Sequence, residues 1–374
     1  MLPQIIEAEQ RLDALLPAKR LEQRPHAGLL RAASAWSKLV WLAAEQMGPM
    51  PLTSEQISQG LQLAQSPVFI CGVHRSGTTL VRDLLDGHPQ LSVLPSEGTF
   101  YTNQEAKLKY LPENEWALCL GTEWLRRLAN PINQPPYWLL GRSTSSGSPY
   151  IDFARYVMAW WQMVKHTPGT QWPHTAIVLA YASCTDGPGA NYWVDKTPTN
   201  ERFLTRIWRE MPQAKIIQVI REPVATMASH KTMEPTISLT SALRDLKTSY
   251  SIAIQQAKLN DSRYLLVRYE ELCLDPGKIT TQIAAFLGIE NSEILRCATV
   301  AGTSAKANSS FNKDPASGQV LKADEHAGQE VIGMAGRRQI AASVGRLAKQ
   351  LNYPLPQVGA FKSMLLRIKY RFKI

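Results

Sequence analysis

The chain has 374 residues, enough for one large domain or one domain with additions, and 44% hydrophobic residues with 10 Trp and 12 Tyr exclude a disordered chain. A net charge of +10 favours anionic ligands, anionic polymers or membrane surfaces, but no Lys/Arg run resembles a nucleic-acid arm and no nucleic-acid partner is expected. The five cysteines are scattered, odd in number and never spaced Cys-x-x-Cys, which argues for reduced thiols and against a disulfide framework or a zinc site.

Residues 1–64 read as a mostly helical extension, with Leu12, Leu15 and Leu16 on one face before a break at Pro17, and Trp36, Val40 and Ala43 on a face of a later helix. Met1 to Arg20 contains Glu7, Glu9 and Asp13 without a continuous apolar core, so it does not read as a secretory signal. No apolar stretch approaches the ~20 residues a spanning helix needs. The expected location is the cytoplasm.

The chain is organised around Val68 to Arg82. Val68-Phe-Ile-Cys71 suits a buried strand, Gly72 and Gly77 bracket a turn, and Leu80 with Leu84, like Val81 with Leu85, has helical spacing that stops near Gly87 and Pro89. Strand, Gly-containing loop and helix start form an anion site, because loop amides, unpaired helical N–H groups and the helix dipole converge there. Gly72 and Gly77 have P-loop spacing, but Thr78 stands where an NTP-hydrolysing loop has Lys, and the cation comes earlier, at Arg75.

Leu91 to Leu94 suits a second short strand, followed by Glu97, the only carboxylate between Asp86 and Glu105. Strand ends in α/β sheets are where sites are assembled; a solvated loop residue is the plain alternative. Residues 112–149, rich in Pro, Trp and Ser, read as a long excursion or lid, and Tyr150 to Lys165 as a helix whose Phe153, Val157, Trp160 and Trp161 belong to a core. Tyr192 to Lys196 is a short strand with Lys196 at its end, and Thr199 or Asn200 caps a helix carrying Phe203, Ile207 and Met211. Ala214 to Ile220 is the strongest strand by β-branched content. It leads to Arg221, to Pro223 in a first helical turn and to Ser229 about two turns along.

A helix over 238–259, a strand over 264–270 and a helix over 276–288 follow. The segment 301–328 reads as a loop, with a helix near 337–351 and a basic tail, Phe361 to Ile374, that lacks acids and reads first as a helix docked on its own domain with its charges solvated, the alternative being contact with an anionic membrane surface. The expected fold is α/β, a P-loop-like doubly wound parallel sheet with helices on both faces, plus helical N- and C-terminal extensions. The expected division is 1–64, 65–330 with an acceptor-site insertion at 112–190, and 331–374.

His74-Arg75-Ser76-Gly77-Thr78-Thr79 resembles the 5′-phosphosulfate-binding loop of the sulfotransferases that use 3′-phosphoadenosine 5′-phosphosulfate (PAPS). Arg221 with Ser229 is similar to that family's 3′-phosphate motif, and Val267 to Leu272 to a third segment; the likeness covers about residues 66–290. It looks closest to the bacterial branch sharing features with protein-tyrosine and heparan sulfotransferases. The resemblance implies that Arg75, Ser76, Gly77, Thr78, Thr79, Arg221, Ser229 and Tyr269 bind PAPS, with Ser310 and Lys313 as a poorly matching C-terminal clamp. It implies catalytic roles for Arg75, for Lys196 near the sulfuryl group and for Glu97 as general base; His74 is a rival base by proximity alone, and its place beside Arg75 suits it better to packing the loop.

No metal is implied. The acceptor would be a hydroxyl on a saccharide, a peptide tyrosine, a lipid or a natural-product alcohol. A P-loop kinase, which would need Lys at position 78 and an acid for Mg²⁺, and a non-catalytic nucleotide-binding scaffold are the other readings.

Overall fold

The computed structural model describes residues 1–15, 27–129, 138–142, 147–185, 189–305, 317–323, 329–353 and 355. Five parallel strands, β1 (Pro67–Cys71), β2 (Leu91–Val93), β3 (Tyr192–Lys196), β4 (Lys215–Ile220) and β5 (Tyr264–Arg268), form one sheet in the order β2-β3-β1-β4-β5. β1 is buried along its whole length, as its unbroken apolar run requires of a central strand.

Its side chains alternate between two cores. Phe69 and Cys71 join a cluster with helices α1 (Leu2–Leu15), α2 (Ala27–Met47), α3 (Ser54–Ala64), α6 (Trp116–Ala129), α7 (Pro149–Val164) and α8 (Trp172–Cys184), while a short α5 (Glu105–Leu108) lies at its edge. Val68 and Ile70 face a second cluster with α4 (Thr78–Leu85), α12 (Tyr269–Leu274) and α13 (Pro276–Leu287). A third cluster beyond Ile220 joins α10 (Pro223–Met233), α11 (Leu239–Leu259) and α14 (Gln329–Gln350); α9 (Leu204–Glu210) follows β3. Helices thus cover both faces of a parallel sheet, as the alternating pattern predicts.

Several expectations shift. In α1 the buried face is Ile5, Glu9 and Leu12, whereas Leu15 is 40% exposed and Leu16 and Pro17 lie outside the described residues. The indole N–H of Trp36 donates to Glu9 Oε1 at 3.4 Å, so an acid occupies what reads as an apolar face. The expected excursion after residue 112 contains α6, whose Leu120, Trp124 and Leu128 have helical spacing and are fully packed; Pro and Ser on either side obscured that period. Helix α8 passes unrecognised because Pro173 through Ala182 are buried all round, leaving no amphipathic stripe. Trp160 is core, with its indole N–H donating to Ser183 Oγ at 2.9 Å.

Neither Thr199 nor Asn200 caps a helix with its side chain: Thr199 is left-handed (φ 66°), a 3₁₀ turn intervenes, and α9 starts at Leu204. The last strand stops at Arg268, and Tyr269 and Glu270 open α12. Helix α14 begins before residue 337 and breaks at Gly333. Among the described residues no helix is long and apolar enough to cross a membrane. Ser310, Lys313 and the 361–374 tail lie outside the described residues.

Candidate functional site

In chain order the charged candidates run Arg75, Glu97, Lys196, Arg221, with Tyr269 last. The strand order rearranges them. At the carboxyl edge of the sheet, Glu97 follows β2, Lys196 ends β3, the loop carrying Arg75 follows β1, Arg221 follows β4 and Tyr269 follows β5. Five segments distant in sequence therefore lie side by side at the edge where parallel α/β sheets bind ligands.

The loop after β1 is fixed mainly by its backbone. Gly72 has φ 140°, and a Cβ there would lie 2.2 Å from the Val219 carbonyl oxygen, so only glycine lets β1 and β4 close up at this point. The Gly72 N–H donates to Glu201 Oε2 at 2.9 Å, and the Gly72 carbonyl accepts from the Thr199 N–H at 2.9 Å. Burial pushes the Glu201 carboxyl above its ordinary range. Arg75 is left-handed (φ 73°) and Gly77 (φ 102°) precedes α4.

No side chain caps α4, whereas Thr53 with Gln56 caps α3, Glu222 caps α10 and Asp275 caps α13. Side-chain caps are likewise absent from α7, α8, α11 and α12; at α4 the Leu80 N–H closes on the Gly77 carbonyl at 3.0 Å, and the Thr78 and Thr79 N–H groups are the ones open to a ligand. Ser76 and Thr78 are buried and Thr79 is exposed; the Ser76 hydroxyl has no hydrogen-bond partner among the described residues.

Around this loop the predicted anion contacts converge. Arg75 Nε donates to Ser229 Oγ at 3.0 Å, and Arg221 Nη1 donates to the Arg75 carbonyl at 3.3 Å. The Arg221 guanidinium lies 4.4 Å from the centroid of the Tyr269 ring, a cation–π contact. A Cβ on Gly77 would come within 2.3 Å of that same ring, so Tyr269 packs against both halves of the site. Ser229, expected beside Arg221, is bonded to Arg75 instead. The Tyr250 hydroxyl donates to the Arg221 carbonyl and fixes the backbone there.

Beyond β3, Lys196 Nζ lies 2.5 Å from Glu97 Oε1, with the lysine 4% and the carboxylate 40% exposed. Glu97 is thus a paired group at the mouth of the site and not a solvated loop residue. Burial alone would push its carboxyl up, but the charge and hydrogen bond of Lys196 outweigh that and hold it below the usual glutamate range. His74 does not pack the loop interior as expected: it is exposed, with its ring centroid 5.8 Å from that of His230.

Sequence reasoning missed Glu201 and Arg82. The buried Arg82 pairs with Asp83 (Nη2–Oδ1 2.5 Å) and donates Nη1 to the Pro95 carbonyl at 3.0 Å, tying α4 to the segment leading to Glu97. Glu201 sits in no motif, and Arg82, though it closes the Val68–Arg82 stretch, gives no signal there because a buried ion pair leaves no periodic signature.

Residues 67–293 match the Sulfotransferase family. The chain is 27% identical over 230 residues to Protein-tyrosine sulfotransferase 1 of Danio rerio, covering 59% of this chain and 53% of that protein. It is 26% identical over 235 residues to Protein-tyrosine sulfotransferase 2 of Gallus gallus, covering 60% and 52%. It therefore spans about half the length of the curated relatives it matches. Among solved structures it is similar to the Sulfotransferase Domain from the Synechococcus PCC 7002 Olefin Synthase, with 20% identity, coverage of 82% of this chain and 95% of that one, and a TM-score of 0.38.

Proposed function

The chain belongs to the sulfotransferase family, and on that premise we propose that it transfers a sulfuryl group from 3′-phosphoadenosine 5′-phosphosulfate to a hydroxyl acceptor. The observation that carries this reading is the joined pair of cations: Arg75 and Arg221, one beside each central strand end, are held to each other through the Arg75 carbonyl beside an uncapped helix start. A donor with anions at two ends needs two such positions on one rigid base.

The chain's groups divide the work. Arg75, the amides of Gly77 to Thr79 and the hydroxyls of Thr78 and Thr79 would hold the 5′ end, with Arg221 and Ser229 toward the 3′-phosphate and Tyr269 beneath. In-line sulfuryl transfer, like phosphoryl transfer, depends on positioning and on stabilising charge at the leaving oxygen. Lys196 is the cation for that charge, and Glu97 takes the proton from the acceptor hydroxyl as the new S–O bond forms and the donor S–O bond breaks. The lysine that polarises the leaving group also keeps the glutamate ionised. The acceptor class, whether saccharide, peptide tyrosine, lipid or natural-product alcohol, is left open by this reading.

A thermal-shift titration tests the donor assignment, comparing adenosine 3′,5′-bisphosphate with ADP plus Mg²⁺ on wild type and Arg221→Ala. At ~100 times Kd a ligand stabilises the fold by about 2.7 kcal/mol. A shift with the 3′,5′-bisphosphate alone, weakened in Arg221→Ala, is expected. A shift only with ADP and Mg²⁺ replaces the proposal with a kinase, and binding without turnover on any hydroxyl acceptor replaces it with a scaffold.

A further inference from the structure

Glu97 sits on a segment with no regular structure, between the end of β2 at Val93 and a helical turn starting at Phe100. A base on such a segment needs something to hold it, and two sets of side chains converge on its backbone. On one side is Arg127, from α6 and only 17% exposed. Its Nη1 donates to the Glu97 carbonyl and, at 3.5 Å, to the Gly98 carbonyl; its Nη2 donates to Thr99 Oγ1 at 2.9 Å. The guanidinium is itself anchored on Glu123 Oε1 at 2.6 Å, and Glu123 also accepts from Lys107 Nζ at 2.8 Å.

On the other side is Asp195 of β3. Its Oδ1 accepts from the Gly98 N–H at 2.8 Å and from the Thr197 hydroxyl at 3.0 Å, and Thr197 Oγ1 accepts from the Thr99 N–H at 2.8 Å. The fit leaves no slack, since a Cβ on Gly98 would lie 2.3 Å from Asp195 Oδ2. The buried His174 places Nε2 3.6 Å from that same oxygen and backs the carboxylate from the core.

These contacts do more than tie down a loop. Asp195 immediately precedes Lys196, and Gly98 immediately follows Glu97. The bond between Asp195 and Gly98 therefore joins the two backbones from which the paired lysine and glutamate project. Arg127 closes the opposite side, on three consecutive residues.

We infer that Arg127, acting against Asp195 and Thr197, is a positioning residue for the transfer reaction, holding the backbone of Glu97–Thr99 so that Glu97 stays registered on Lys196. Arg127 belongs to no sequence motif, and its hydrogen bonds go to Glu97, Gly98, Thr99 and Glu123, outside the donor loop. The inference rests on the sulfuryl-transfer reading for its chemical meaning but not for its structural content.

The test uses the full chain as wild type, Arg127→Ala, Arg127→Lys and Thr99→Val. Three readouts are taken: amide hydrogen exchange at Gly98 and Thr99, the thermal shift caused by adenosine 3′,5′-bisphosphate, and turnover of PAPS with a simple phenol as probe acceptor. In Arg127→Ala exchange at both amides is expected to accelerate by an order of magnitude or more. The bisphosphate shift should stay at the wild-type value, and kcat should fall by up to ~10²-fold, the scale of a 1 Å misplacement, with the KM for PAPS within about twofold.

Arg127→Lys, which keeps the charge and part of the donor set, should recover part of kcat. Thr99→Val removes one arm without changing side-chain shape and should give a smaller change in the same direction, which covers an Arg127→Ala chain that does not fold. Unchanged exchange at Gly98 and Thr99 in the folded variants overturns the inference, and so does a loosened segment with undiminished kcat. Should wild type neither bind the bisphosphate nor turn over, the sulfuryl-transfer reading fails, and accelerated exchange in Arg127→Ala still upholds the clamp.

Discussion

The two loops that build the site, 72–77 after β1 and 95–99 after β2, both follow strands and both present charge, yet they are made differently. The first takes its shape largely from its own backbone, with positive φ at Gly72, Arg75 and Gly77 and its helix in the same short stretch, and Glu201, Thr199 and Arg221 hold that shape in place. The second is shaped from outside, by Arg127 from α6, Asp195 and Thr197 from β3 and beyond, and Arg82 from α4. On the proposed reading the first loop binds the donor and the second carries the base. A binding loop for a charged ligand can be written locally, because backbone N–H groups supply much of the contact. A base facing a lysine has to be aimed from several directions.

That contrast is broken most directly at the reactive pair. Lys196→Ala and Glu97→Gln are each expected to lower kcat by roughly 10²–10³, the loss seen when a group acting in the transition state is removed, with bisphosphate binding nearly unchanged. Rates near wild type with either substitution would place the chemistry elsewhere.

A smaller effect of opposite character is expected at the binding loop. Gly72→Ala puts a Cβ on a φ of 140°, 2.2 Å from a backbone oxygen that cannot turn aside. The backbone strain alone costs about 1–3 kcal/mol, to be read as a lower Tm together with weakened bisphosphate binding. Loss of kcat with binding intact would show that the two loops are not separable in this way.

The smallest effect sharpens the comparison beneath the binding loop. Glu201 is buried and its carboxyl is raised, so its contribution to stability is fully present below the ordinary carboxylate range and is lost as pH rises through its folded value. Glu201→Gln keeps an oxygen acceptor for the Gly72 N–H and removes the ionisation. Its unfolding free energy, measured across pH 4 to 8 by denaturant titration, should decline less with rising pH than that of wild type. An identical slope would mean that Glu201 is ionised in the fold.

How far the sequence could be read follows the same division. The sheet strands, the 72–77 turn and the helix from Thr78 show themselves because their periods and glycines lie within single short stretches. Arg221 and Lys196 are legible as strand-end residues, though nothing in the chain order says that Lys196 would lie beside Glu97. Strand order is decided by crossovers, and no local period records it. Arg127 could not be found, because its i,i+4 pair with Glu123 looks like any helix ion pair, and the partners that give it a place at the site are carbonyls and a hydroxyl some 28 to 30 residues away, with no side-chain pattern of their own. Helix α8 was hidden for the opposite reason, since uniform burial erases the polar face that marks a helix.

The strand order also has a consequence for how the chain is made. β1 is the central strand, but both of its neighbours, β3 and β4, are synthesised long after it, the first beginning at Tyr192 and the second at Lys215. As the polypeptide leaves the ribosome, Val68-Phe-Ile-Cys71 is an apolar segment with two open edges and no partner in sight. Such non-local pairing is slow, and an edge waiting for it is open to association with other chains. In a coupled translation reaction, ribosome-bound chains ending before Tyr192 should bind a hydrophobic-segment chaperone, and chains extending past Arg268 and clear of the exit tunnel should release it.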